Sequence, residues 1–219
     1  MKTFLLDFKN ILVNPTLFIN FFFSWKQIAS IFSYIFLGLI FFLLLGFFSV
    51  FIHRIWNVPL PYKNINISFF NAVLLAPIIE ELSFRAILKK SKINFLFFIS
   101  SFSYLIFGYL LKYDLFVYYI VLLIITLFYV FVKKKVDFLE PYSKKQVLYL
   151  VYISCFFFGF AHIINYDISL NILIPLLAIL LFKVLGAFFL SLLRLKFGLM
   201  VSILFHFIIN LSAFIIYNK

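Results

Sequence analysis

The chain has 219 residues, 66% hydrophobic and 12% charged, with 36 Phe and 13 Tyr, and a mean hydropathy of +1.18. A water-soluble domain of this length cannot hide so much apolar surface, so the bilayer is the solvent that most of it meets. The net charge of +12 does not point to nucleic acid, because the lysines cluster between apolar runs, as topology signals do, and form no stripe beside a polar face.

In chain order, residues 1–27 predict an interfacial or re-entrant segment, since Asp7, Asn14, Pro15 and Asn20 interrupt an apolar background. An eighth span is the alternative there. The first apolar stretch carries no small-residue cleavage site of a secretory signal. Seven stretches then come close to the ~20 apolar residues that a membrane helix needs: 30–52, 68–88, 93–111, 115–132, 146–164, 170–193 and 198–217. The expected fold is all-α, a polytopic transmembrane bundle of about seven spans forming one membrane domain over residues 1–219. The lone Cys155 lies in an apolar run, which leaves no disulfide framework and no cysteine zinc knuckle.

Basic residues set the orientation. With a cytoplasmic N-terminus, thirteen of the 19 Lys and Arg, among them the Lys133–Lys135 run, Lys144, Lys145, Arg194 and Lys196, fall on the inner side. Four fall outside, and Arg85 and Lys183 lie within spans. The expectation is an integral protein of a bacterial inner membrane with its N-terminus in the cytoplasm.

An ionisable group in hydrocarbon costs at least ~2.5 kcal/mol. Of seven acidic residues, five lie in loops or terminal segments, but Glu80 and Glu81 fall near the middle of the second span. Glu81 and Arg85 are four residues apart and predict an ion pair on one helix face. Glu80 points about 100° away and has no local partner. Pro77 lacks the N–H that would bond the carbonyl of Val73, which predicts a kink just before the acids. His162 ends an apolar run, and His206 stands one turn before Asn210 in the last span. Counted along straight spans, Glu80 and His206 lie at similar depths, ~18 and ~16 Å from one boundary, whereas His162 is only ~3 Å from it. For His162 to join them, its helix must tilt or run on past Asn165.

A carboxylate withdrawn from water can act as general base, and a neutral imidazole beside it can hold and activate a water. A second histidine with an asparagine amide can donate to the oxyanion formed when water adds to a carbonyl. Glu80 with His162 fits the first role, and His206 with Asn210 the second. Glu80, His162 and His206 can instead hold zinc with an open position for water. The plain structural readings are an ion-pair knot of Glu80 and Glu81 with Arg85 and Lys183, and His206 with Asn210 as polar glue between helices.

The run from Glu80 to Arg85 resembles the EExxxR motif of the CPBP family, the CAAX prenyl endopeptidases and bacteriocin-processing, Abi-like proteins. Phe158 to His162 resembles its FxxxH motif and His206 to Asn210 its HxxxN motif, in the same order and each within a span. The likeness covers roughly residues 71–86 and 148–211. It implies an intramembrane endopeptidase in which Glu80 and His162 activate water, His206 and Asn210 stabilise the oxyanion, and Glu81 and Arg85 support them. The catalytic bundle would span 68–217, with a helix pair at about 93–132 inserted relative to many members. The family carries a metalloprotease label, yet its prenyl endopeptidase branch implies a glutamate mechanism, so the expectation is no required cofactor, with zinc as the alternative. The expected partners are the bilayer and a membrane-embedded or membrane-associated peptide or protein substrate. A non-catalytic bacteriocin-immunity or scaffold protein of the same family, and an ion-coupled carrier, are the alternative functions.

Overall fold

The structure, a computed structural model, describes residue 6 and residues 25–56, 68–111, 142–166 and 172–217. The expected span at 115–132 and most of the expected N-terminal segment lie outside the described residues. Every element among those described is helical, as hydrocarbon demands of a chain that must satisfy its backbone within each segment.

Among the described residues six α-helices order the bundle: α1 Trp25–Trp56, α2 Ala76–Phe84, α3 Lys92–Leu111, α4 Lys144–Ala161, α5 Leu173–Phe197 and α6 Leu199–Tyr217. Among those residues three helical segments are long and apolar enough to cross a membrane, at Ile28–Ile52, Lys144–Asn165 and Leu173–Phe197, while Lys92–Ile106 and Leu199–Ile215 are shorter apolar helices. The protein is therefore a helical membrane bundle. α1 begins five residues before the predicted start and runs to Trp56. α4 begins at Lys144 because Ser143 and Gln146 close a capping box around its first turn, the Gln146 side chain accepting from the Ser143 N–H at 2.9 Å.

The second predicted span is not one helix. It passes from a π-helix at Phe70–Leu75 into α2 and ends in a 3-10 turn at Ala86–Leu88. Pro77 accounts for the change of register in a way that corrects the expected Val73 orphan. With the Ala76 N–H already bonded to the Asn71 carbonyl, five residues back, the carbonyl facing Pro77 is that of Ala72. The amide of Asn210, from α6, donates to it at 2.9 Å, so the donor that proline lacks is supplied by another helix.

The other end of α2 is held in the same manner. Ser154 of α4 donates to the Phe84 carbonyl. Arg194 of α5 donates from Nε to the Arg85 carbonyl at 3.1 Å and from Nη2 to that of Ala86 at 3.5 Å. Helix ends leave carbonyls without partners, and buried ones must find donors. Arg194 is thus a buried capping residue inside α5, not one just beyond the expected span end at 193.

α5 is the central helix, 61% buried over its membrane window against 6% for α1. Its Phe189, Leu192 and Leu193 join Phe84, Leu88, Val151, Phe158 and Phe205 in one apolar core. α4 crosses α5 closely at Gly159, where a Cβ would meet the Leu180 carbonyl oxygen at 3.2 Å and collide with Val184. Gly198, at φ 100°, joins α5 to α6 through a single residue, a backbone state that favours glycine. On α1, Phe32, Phe36, Leu43 and Phe47 remain exposed and form a face for lipid chains.

Candidate active site

α2, α4 and α6 bring the motif residues together. Glu81 and Arg85 form the predicted pair, Oε1 to Nη1 at 3.5 Å, with both side chains fully buried. The α6 helix supplies two further partners for Glu81. His206 Nδ1 lies 3.1 Å from Oε1, and Ser202 Oγ lies within hydrogen-bond reach of Oε2 and 3.0 Å from the Leu190 carbonyl. An ionised carboxylate only accepts, so the imidazole donates from Nδ1 to Glu81. This turns Nε2 toward Glu80, whose Oε2 is 3.6 Å away. That is an ion-pair separation, too long for a hydrogen bond.

Glu80 is less enclosed, its side chain 19% exposed, and its buried Oε2 has no hydrogen-bond partner among the described residues. It lines a cavity of about 350 Å³ together with Phe84, Phe102, Phe157, His162 and Asn165. Three other residues act on Glu80 electrostatically besides its neighbour Glu81: His206, Arg85 and Lys183. Lys183 is exposed on α5 yet reaches both Glu80 and His162 through its field.

His162 reaches this cavity despite its shallow count along the sequence. α4 ends at Ala161 and tightens into a 3-10 turn over His162–Asn165, so the helical segment stops at Asn165 and does not run on past it. The ring nitrogen Nδ1 is 2.8 Å from the Phe158 carbonyl. A carbonyl only accepts, so Nδ1 carries the proton and Nε2 presents a lone pair. Phe158, one turn earlier, lies tilted at 4.8 Å from the His162 ring and edge-on at 6.0 Å from that of His206. It also meets the Arg85 guanidinium, 4.0 Å from its centroid, a cation–π distance. Among the described residues the same Arg85 has no hydrogen-bond partner on any guanidinium nitrogen. The aromatic residue four positions before His162 therefore packs together the arginine of one motif and the histidines of the other two.

Asn210 is half-buried and spends one amide proton on Ala72. It does not belong to the cavity lining given by the described residues. Among the described residues no three His, Cys, Asp or Glu side chains converge to hold a metal ion. His206 faces a carboxylate with each ring nitrogen.

Sequence reasoning missed four residues. Ser202 and Arg194 act across more than a hundred positions, a distance over which one sequence carries no signal. Ser154 ties α4 to α2. Asn165 did leave a signal, three positions after His162, a spacing that eclipses side chains once the turn is 3-10.

A helical membrane bundle with paired carboxylates and imidazoles gathered beside an apolar cavity defines the class: an integral membrane protein with a buried acid–histidine site. The chain belongs to the Rce1-like family of type II CAAX prenyl endopeptidases, whose model matches residues 63–212, so its family is a family of proteases. No curated protein and no solved structure matches the chain.

Proposed function

We propose that the chain hydrolyses a peptide bond of a membrane-associated peptide or protein, with Glu80 as general base and no metal required. The observation that carries the reading is the Glu80 carboxylate oxygen without a hydrogen-bond partner, in one cavity with His162. A water there can donate one proton to Glu80 and the other to the free Nε2 of His162. Glu80 takes up its proton as the oxygen adds to the scissile carbonyl carbon. The resulting oxyanion accepts from His206 Nε2 when that ring is doubly protonated, while Asn210, bonded to the Ala72 carbonyl, fastens α6 to the segment before Glu80. Collapse breaks the C–N bond, and Glu80 returns its proton to the departing amine. Glu81, Ser202 and Arg85 hold the His206 ring and keep the second charge paired.

The test compares peptide products in vesicles holding the full chain or its Glu80→Gln variant, offered one farnesylated and one unprenylated quenched peptide. Loss of about 10²–10⁴-fold in turnover is expected on removing a general base. Unchanged cleavage would remove Glu80 from the mechanism. A chelator, with and without added zinc, should leave the wild-type rate as it was; a loss that zinc restores would replace the glutamate reading with a metal one.

A further inference from the structure

The cavity beside Glu80 is lined by eleven described residues, and only three of them are polar: Glu80, His162 and Asn165. The other eight, from Phe84 to Ile164, are apolar. Two of the polar groups already have work in hydrolysis. The third is a neutral carboxamide that no part of that chemistry uses. It is half-buried, with no side-chain hydrogen bond among the described residues, whereas the amide of Asn210 is committed to Ala72.

Its position follows from the local backbone. His162 and Asn165 are the first and last residues of the 3-10 turn, and side chains three apart in such a turn eclipse. Both therefore project to one side, into one cavity. A peptide unit entering an apolar space gives up its hydrogen bonds to water, at a cost unless a partner is waiting. A carboxamide offers an acceptor and a donor, the complement of a peptide N–H and C=O.

We propose that Asn165 is a substrate-binding residue, whose carboxamide clamps the main chain of an extended peptide beside the Glu80–His162 pair. The proposal rests on the hydrolytic reading of that pair. The rise of a 3-10 turn, about 2 Å per residue, sets Asn165 ~6 Å along the axis from His162. An extended chain advances about 3.3 Å per residue. The clamped peptide unit is thus about two residues from the scissile bond, and recognition there reads the main chain whatever the side chain.

The experiment uses the full chain in vesicles and a quenched farnesylated peptide, with two ester analogues. Each analogue replaces the peptide link two residues from the scissile bond, one on either side, and so removes an N–H and weakens a carbonyl acceptor. For the wild type, one of the two analogues should lose about tenfold in kcat/KM, carried mainly by KM, the scale of one hydrogen bond. Asn165→Ala should show a similar loss on the parent peptide and no further loss on that ester. Wild type cleaving all three peptides alike would overturn the clamp while leaving hydrolysis intact, and this arm needs no variant to fold. An Asn165→Ala chain that discriminates against the ester as the wild type does would overturn it too. If the wild type cleaves no peptide at all, the hydrolytic reading fails first and the clamp with it.

Discussion

Glu80 and Glu81 are adjacent in the chain, yet pointing about 100° apart on a helix puts them in different surroundings. Glu81 is fully buried, with Arg85, His206 and Ser202 as partners, and in the proposed mechanism it neutralises and orients. Glu80 keeps an oxygen free of hydrogen bonds and borders the cavity. Neutralising each should therefore have opposite consequences. Glu81→Gln leaves the Arg85 guanidinium buried without its counter-charge, which costs about 3 kcal/mol or more. Glu80→Gln should unfold within about 0.5 kcal/mol of the wild type, as a change that strands no charge. Thermal unfolding of both variants in the same detergent checks this, and equal destabilisation would contradict the division of labour. The single sequence pointed to this division through the four-residue spacing of Glu81 and Arg85. It could not reveal that His206 would join Glu81 as well as Glu80, because that contact spans 125 positions.

α2 and the π-helix before it show how an imperfect element can be fastened into a bundle. Proline in a helix costs about 3 kcal/mol when its orphaned carbonyl goes without a partner. Here the register slips by one residue, and the Asn210 amide from α6 reaches the Ala72 carbonyl. The kink was legible from Pro77 alone. Which carbonyl it orphans was not, because the α and π registers differ by one residue and only the neighbouring helix decides between them. A double-mutant cycle measures the link. Asn210→Ala should cost about 1–3 kcal/mol by leaving a buried carbonyl unpaired. In a Pro77→Ala background, where the backbone N–H is restored, the same change should cost under about 0.5 kcal/mol. Additive costs in a detergent unfolding series would show that Asn210 and Pro77 are not coupled. The depth of His162 is a second case at this scale. Counting along a straight helix left it too shallow, yet it borders the same cavity as Glu80, a meeting that depends on how the helices pack and that apolar periodicity does not report.

Across the molecule, composition and the lengths of apolar runs were enough to reach a helical membrane bundle, since a 66% hydrophobic chain has few other homes. They were less able to divide it into spans: among the described residues three helices meet the length and hydropathy of a crossing segment, and the run at 68–88 breaks into π, α and 3-10 pieces. The structure sets Glu80 and His162 on one cavity and leaves Asn210 outside its lining, whereas the residues that hold the acid-bearing helix in position came from α4, α5 and α6 and had no local signature.

That helix is tied at its beginning by Asn210 and at its finish by Ser154 and Arg194. In the proposed mechanism such fastening should isolate Glu80 and His206 from the thickness of the surrounding lipid. α1, which meets that lipid with most of its surface, is free to lean when acyl chains lengthen or shorten, while the acids and imidazoles travel as one block. Turnover in vesicles whose acyl chains run from fourteen to twenty carbons should accordingly vary by less than about threefold for the wild type. Cutting the tether with Arg194→Met should make the rate follow chain length steeply.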